Sequence, residues 1–539
     1  MKKIFEKYNK IIFALIALVL IYPSFQRGYV FLLDWMVIPN ISLADINFSI
    51  DSIGIILYKL LAIALGFGAV QRAVLFSVIF FAGIAGFRLA KRTNNIFAQY
   101  FAGVFLIFNP FLYARIVEQP NIAGGAVLFF WFLIYFLEHL EKNNRRKLIL
   151  ASVFGALSIS FSIHNIFFIG LAMVILLGFD YLKKRDWGFI LKTALVIGVM
   201  IVLLNCNWIF SFLSGDIRGA GGIGRFTSAD WETFKTQSIG DHSVYSTVLA
   251  LQGYWGEYQD RFVSIQDNPL WSTAFIFILA LAFFGAIKSW KKNPFAKPLA
   301  ILFFAAFALA VGVASPIFKP MAVFLYEHIP LYIGLRESQK WVALLVFIYA
   351  YFGGWGIKYL LEIEKIKNYK KEIGIFCAIL PIIFSFSAIR GMHGHFTPHE
   401  FPVEWHEAKK YLDENPTDGK ILFLPWHSYM KFDFAGKNIV NPAQDFFGKN
   451  VIWGSNTEFG RVYSHSLDEQ TLTIEKYVAQ KDNPVLKINY ANFSEDMQKM
   501  GIQKIMLSKT EDWQKYLWLD TINVAKALEN DELIIYSLR

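Results

Sequence analysis

The chain has 539 residues, 55% of them hydrophobic and 17% charged, with 54 Phe, 24 Tyr and 15 Trp, a composition that excludes a wholly water-soluble globular protein. The net charge of +10 does not indicate nucleic acid, because the basic residues fall in short clusters between apolar runs, where anionic lipid and the insertion machinery account for them. The two cysteines, Cys206 and Cys377, lie in separate apolar runs and define neither a disulfide framework nor a zinc site.

A membrane span needs about 20 mostly apolar residues to cross about 30 Å of hydrocarbon. Such runs recur at 11–25, 73–90, 96–116, 122–140, 148–163, 166–182, 188–213, 271–287, 298–314, 341–361 and 373–389, eleven in all. The first follows Lys2, Lys3, Lys7 and Lys10 as a signal peptide would, but no small-residue cleavage site follows it, so it reads as a retained helix. A further apolar stretch, 53–70, carries Lys59, Gly66 and Gly68. Lysine and arginine in short loops concentrate on the cytoplasmic side. If 53–70 does not cross, the clusters at Arg88/Lys91/Arg92, Lys142/Arg145/Arg146/Lys147, Lys183/Lys184/Arg185, Lys288/Lys291/Lys292/Lys297 and Lys365/Lys367/Lys370/Lys371 all lie inside. If it crosses, all of them move outside. The stretch is therefore expected as an outer-face interfacial or re-entrant helix, with the N-terminus cytoplasmic.

The fold expected is a polytopic α-helical membrane protein with about eleven spans over 1–390 and a C-terminal extracytoplasmic α/β domain over 391–539. Outer loops then cover 26–72, 214–270 and 315–340. In the tail, "KILFLPW" (420–426), "VIWG" (451–454), "IQKIMLS" (502–508) and "ELIIYS" (532–537) read as strands, and 403–415 as a helix.

The first outer loop holds Asp34, Asp45 and Asp51 in an apolar, aromatic setting. Asp34 lies between "VFLL" and "WM", where partial desolvation favours proton acceptance and suits a general base, the alternative being a cap or a solvated loop acid. Asp45 and Asp51 precede helix-like runs and read as caps. The third span ends in "NPFLYARIVEQPN", which puts Arg115 and Glu118 at the membrane boundary, where they pair with each other or serve function. His164 stands in the next outer turn, as a structural hydrogen-bonding residue or part of a site. The stretch "YEHIPLYIGLRESQKW" brings Arg336, Glu337 and Lys340 together before the tenth span, a pattern suited to phosphate, with Glu337 as neutraliser. The glycine-rich "GDIRGAGGIGR" (215–225) lacks Walker spacing and reads as a flexible lid. Trp35, Tyr254 and Trp255 are sugar-stacking rings or interfacial anchors.

Together these residues give the chain a resemblance to the GT-C superfamily of membrane glycosyltransferases, especially the YfhO-like and arabinofuranosyltransferase-like group. The elements that carry it are an acid in a long first outer loop before a non-crossing helix, "NPFLYARIVEQPN", "SIHN" at a tight outer turn, "GLRESQKW" before a late span, and an extracytoplasmic tail. The resemblance implies transfer of a sugar from a polyprenyl-phosphate-linked donor to a glycan, lipid or protein acceptor of the envelope, on the outer face of the cell membrane. It implies inversion with Asp34 as base, Glu118 and His164 lining the same cavity, and Arg336 and Lys340 near the donor phosphate. Many relatives carry paired first-loop acids, whereas Asp34 stands between Leu33 and Trp35, so no cofactor is called for and a divalent cation is left open. The competing readings are a lipid or polysaccharide transporter or flippase, against which the span centres are nearly charge-free, and a non-catalytic envelope assembly protein.

Overall fold

The computed structural model describes residues 2–35, 52–213, 228–454, 457–459, 462–464, 469–478, 490–522 and 524–538. Asp45, Asp51 and the glycine-rich stretch 215–225 lie outside the described residues. Contacts divide the chain into two compact units. One comprises Met1–Phe25, Asn47–Tyr58 and Arg72–Phe396, the other Gln26–Ile46, Lys59–Gln71 and Thr397–Arg539.

Helices dominate the first unit. Among the described residues nine are long and apolar enough to cross a membrane: Lys7–Phe25, Phe67–Thr93, Ile96–Glu118, Pro120–Lys142, Asn165–Lys184, Trp187–Leu204, Trp271–Ser289, Ala296–Ala314 and Ser338–Leu361. A tenth is added if Lys370–Phe384 and Phe386–His393, bent by 75° at their junction, make one span. The eleventh expected span, 148–163, falls on a 17-residue helix, Arg145–Phe161, whose buried Ser152, Ser158 and Ser160 lower its apolarity. The expected span 188–213 is two helices, Trp187–Leu204 and Cys206–Leu213, parted at Asn205. Asn205 is fully buried, accepts from Ser160 Oγ (3.0 Å) and Trp208 Nε1 (3.1 Å), and donates to the Ala156 carbonyl, a polar tie between helices of the kind apolar surroundings favour. The apolar stretch 53–70 is not one helix: Ser52–Leu65 stops at Gly66, whose φ of +82° suits glycine, and Phe67 starts the next helix.

The third span is interrupted where the sequence writes Asn109-Pro110. Proline lacks the N–H that would continue the ladder, and the residue before it is pushed into an extended conformation, here φ −142°, ψ 153°. Asn109 serves both broken ends. Its Oδ1 accepts from Leu112 N (2.9 Å), and its Nδ2 donates to the Phe105 and Leu106 carbonyls (3.0 and 3.2 Å), so the exposed backbone groups are satisfied without water. Helices Trp271–Ser289 and Val342–Leu361 meet backbone to backbone: a Cβ at Gly285 would overlap the Phe352 carbonyl, and one at Gly356 the Leu281 carbonyl.

The second unit is built on a five-stranded sheet of β1 (Lys420–Leu424), β4 (Val451–Ile452), β7 (Ile502–Ser508), β8 (Val524–Glu529) and β9 (Leu533–Leu538), in the order β4-β1-β7-β9-β8. Two hairpins, β2 (Tyr429–Phe432) with β3 (Lys437–Val440) and β5 (Thr457–Phe459) with β6 (Val462–Ser464), stand apart from it. The β4-β1-β7 pairs are parallel, β7-β9 and β9-β8 antiparallel. Strand alternation sends Ile421, Phe423, Met506, Leu533 and Ile535 into one core with Trp405 and Leu412 of helix Val403–Glu414. It sends Leu422, Leu424, Ile505, Leu507, Ile534 and Tyr536 into another, with Ile474, Phe493, Met497 and Leu519. The four strands and the helix expected in the tail are all present; β2, β3, β5, β6 and β8 were not foreseen. Residues 29–33 join this unit, Tyr29 exchanging two 2.8 Å backbone bonds with His399, and the Leu33 carbonyl accepting from Val440 N (2.9 Å).

Two outcomes are expected from this architecture. Gly356→Ala should lower stability by about 1–3 kcal/mol through overpacking, whereas Gly170→Ala, which meets no atom within 4 Å, should be neutral or slightly stabilising; thermal unfolding of the solubilised protein compares them. In a background carrying Cys206→Ser, in which the remaining Cys377 is buried, a cysteine introduced at exposed Asp260 should react with an impermeant thiol reagent on intact cells, and one at exposed Lys142 should not. The reverse pattern would invert the topology.

Candidate functional site

Where the short helix Pro110–Glu118 ends, the first unit gathers charged side chains that the sequence scatters over more than 220 positions. Arg115 is fully buried. Its Nη1 donates to Glu337 Oε2 at 2.7 Å and to Gln119 Oε1, its Nη2 donates to Gln339 Oε1 at 2.6 Å, and its guanidinium lies 4.0 Å from the centre of the Tyr254 ring. Planar, always charged and weakly hydrated, arginine is the cation that tolerates such a position.

Glu337 is shared. Its second oxygen lies 3.5 Å from Lys340 Nζ. Burial would raise its pKa, but Lys340, Arg115 and Arg336 overcome that and hold the carboxyl far below its ordinary value. Lys340, only 3% exposed, places Nζ 3.2 Å from His164 Nε2. An ammonium only donates, so Nε2 accepts, Nδ1 carries the proton, and that proton points to Ser162 Oγ at 2.9 Å. Burial first, and Lys340 second, keep the imidazole well below its usual pKa, so His164 is neutral at pH 7. Arg336 lies over the Phe234 ring at 4.9 Å, close enough to Glu337 and His164 to influence both.

Glu118 faces the loop that follows residue 228. Arg261 Nε donates to it at 2.6 Å, with the Arg261 side chain 10% exposed and that of Glu118 2%. The same loop contributes Glu257, which accepts from Gly253 N at 3.0 Å; burial pushes its carboxyl up to about 8 against the pull of that N–H and of Arg115. At neutral pH Glu257 is thus mainly protonated. Among these residues four cations, Arg115, Arg261, Arg336 and Lys340, then face two carboxylates held in ion pairs, Glu118 and Glu337. The cluster carries a positive surplus, as anion binding requires.

Of the sequence candidates, Glu118, His164, Arg336 and Lys340 all lie in the first unit, and Lys340 and His164 are in direct contact. Asp34 belongs to the second unit, half-buried, with Oδ1 accepting from Tyr429 Oη at 2.7 Å. Arg115 and Glu118 do not pair with each other: the first turns to Glu337 and the second to Arg261. Tyr254 and Trp255 are both buried, Tyr254 beneath Arg115 and Trp255 with its ring centre 5.9 Å from Arg261. Arg261, Glu257, Gln119 and Gln339 escaped the sequence reading. Only the i,i+4 spacing of Glu257 and Arg261 hinted at a charged turn, and the structure uses it for other partners. Among the described residues no group of three or more His, Cys, Asp or Glu is placed to hold a metal ion.

No protein-family model matches the sequence, and no curated protein matches it. The structure is similar to that of the arabinofuranosyltransferase AftD from Mycobacteria, with a TM-score of 0.62 at 12% identity over 98% of this chain and 40% of that one. This chain therefore spans about two fifths of that protein's length. It is also similar to ArnT from Cupriavidus metallidurans bound to undecaprenyl phosphate, with a TM-score of 0.50 at 11% identity over 98% of both chains. The chain has the fold of the GT-C membrane glycosyltransferases.

Proposed function

We propose that this protein is a glycosyltransferase that moves a sugar from a polyprenyl-phosphate-linked donor to a glycan, lipid or protein acceptor of the cell envelope, on the outer face of the membrane. The observation that carries this reading is the surplus of buried and half-buried cations at one end of a helical bundle with the GT-C fold. A lipid-linked phosphate reaches such a position laterally through the bilayer. The similarity to a protein solved with undecaprenyl phosphate supports the same donor class.

In this proposal Arg336 and Lys340 meet the donor phosphate. As the bond between the anomeric carbon and the phosphate oxygen breaks, negative charge grows on the departing lipid phosphate, and fixed cations in a desolvated setting stabilise it more than they stabilise the ground state. Neutral His164 leaves the positive charge of Lys340 intact and holds its ammonium in place. The acceptor hydroxyl attacks the anomeric carbon from the opposite side, and its proton passes to a base. We assign that role to Asp34, whose carboxylate Tyr429 orients within its own unit. Glu118 is the poorer candidate because its charge is already bound by Arg261; it fits a role in positioning.

Arg336→Ala should raise the KM for a polyprenyl-phosphate sugar about 10- to 100-fold, the usual worth of a charge-assisted bond, and Arg336→Lys should raise it less, since lysine keeps the charge but not the fork. Equal values in all three proteins would remove the phosphate role. Asp34→Asn should lower kcat on the order of 10²-fold or more with folding intact by thermal unfolding, and Glu118→Gln should act more mildly. Full activity in Asp34→Asn would reject that base, and loss confined to Glu118→Gln would transfer the role to Glu118.

A further inference from the structure

Helices Phe67–Leu89, Pro120–Lys142 and Arg145–Phe161 come together at the end of the bundle opposite the cluster of Arg115 and Lys340, because Pro120–Lys142 starts beside that cluster and runs away from it. There they enclose a cleft of about 540 Å³. Five cations line it: Arg88, Lys91, Arg92, Lys142 and Lys147. Two carboxylates are built into the same wall. Glu138 takes a two-pronged bond from Arg88 (Nε to Oε1 2.9 Å, Nη2 to Oε2 2.8 Å) and lies 3.2 Å from Lys147 Nζ. Glu141 lies 3.3 Å from Arg92 Nη2. Tyr135 backs the arrangement, with Arg88 and Lys147 at 4.7 and 5.0 Å from its ring centre, and Phe295 lies 5.3 Å from Arg92.

Basic residues that only guide membrane insertion need neither a concavity nor ordered side chains. Here Arg88, Arg92 and Lys147 are fixed by carboxylates and rings, while Lys91 and Lys142 are exposed and form no ion pair among the described residues. The cleft thus holds a surplus of three positive charges, with its two uncommitted ammonium groups at the mouth. Leu89 and Ile134 supply an apolar strip. The cleft also opens at the N-terminus of helix Arg145–Phe161, whose dipole adds to the positive potential. A small anion would need no apolar strip, and a soluble polyanion would need no cleft at the ends of membrane helices.

We propose that this cleft binds the phosphate-bearing headgroup of an anionic membrane lipid, with Arg88, Arg92 and Lys147 forming its floor and Lys91 and Lys142 closing on the phosphate. It is a second lipid site, distinct in position and ligand from the proposed donor site, and it does not depend on the transfer reaction.

The test uses the full chain reconstituted in vesicles of mixed phosphatidylglycerol and phosphatidylcholine, followed by native mass spectrometry of the lipids retained after extraction. Wild type should retain phosphatidylglycerol in preference to phosphatidylcholine, and the double variant Lys91→Gln/Lys142→Gln should lose that retention about tenfold. The control Lys291→Gln/Lys292→Gln removes the same charge from exposed positions at the same end of the bundle and should behave as wild type. Undiminished retention in the first variant, or equal loss in both, would overturn the proposal. Displacement of the lipid by an equal concentration of inorganic phosphate would also overturn it, since the cleft would then be a free-anion site.

Discussion

A guanidinium withdrawn entirely from solvent has to find its partners within the protein, and Arg115 imposes that requirement on much of the first unit. Removing one partner of a buried ion pair costs about 3–5 kcal/mol, because the remaining charge is left without compensation. Glu337 and Gln119 accept from Nη1 and Gln339 from Nη2, Tyr254 supplies a ring face, and Nε has no hydrogen-bond partner among the described residues. Through them a short helix of the third span, the loop after residue 228 and the start of helix Val342–Leu361 are held to one another. The chain of dependence continues outward, since Glu337 also restrains Lys340, Lys340 sets the tautomer of His164, and His164 engages Ser162. The placement of Lys340 thus rests on the carboxylate that neutralises Arg115, whereas Arg336 is packed over the Phe234 ring.

The second unit answers a different constraint. Each central strand is buried on both faces, so near-continuous apolar runs such as "ILFL" and "LIIY" replace the alternating pattern of a half-exposed sheet. Period-two geometry divides one run between two cores, and helices or 3-10 turns must cover both faces. Residues 29–33, from far upstream, add backbone bonds to this unit, and that is how Asp34 comes to lie against Tyr429.

What could be read in the sequence was what depends on local composition. Apolar length revealed the helical bundle, and turn residues around "KILFLPW" and "IQKIMLS" revealed the strands. Breaks inside apolar runs were harder. Asn205 divides 188–213 with no proline or glycine to mark it, and its reason to be there, Ser160 and Ala156 on a neighbouring helix, is tertiary. Helix Arg145–Phe161 reads as a span by its pattern, but its serines and its 17 residues leave it short in apolarity and length. Arg336 and Lys340 stood out because they flank a carboxylate at the start of a span, and the Lys340 contact with His164 then joined two motifs read separately. The pairing of Arg115 was misjudged because proximity along the chain favoured Glu118, whereas burial rewards the partner with the better geometry, and Glu337 lies 222 positions away. Glu257 lies in a four-residue helix with Arg261 just beyond it, and their spacing along the chain does not reveal a partner as distant as Glu118.

The interruption at Asn109-Pro110 gives the third span a joint. The piece beyond it, Pro110–Glu118, is a nine-residue helix whose cap, Asn109, also donates to two carbonyls of the preceding helix. Arg115 and Glu118 both ride on it, almost one helical turn apart. One short helix is therefore tied at its end to two separate stretches of the chain, to the segment before helix Val342–Leu361 through Glu337 and to the loop around residue 261 through Arg261.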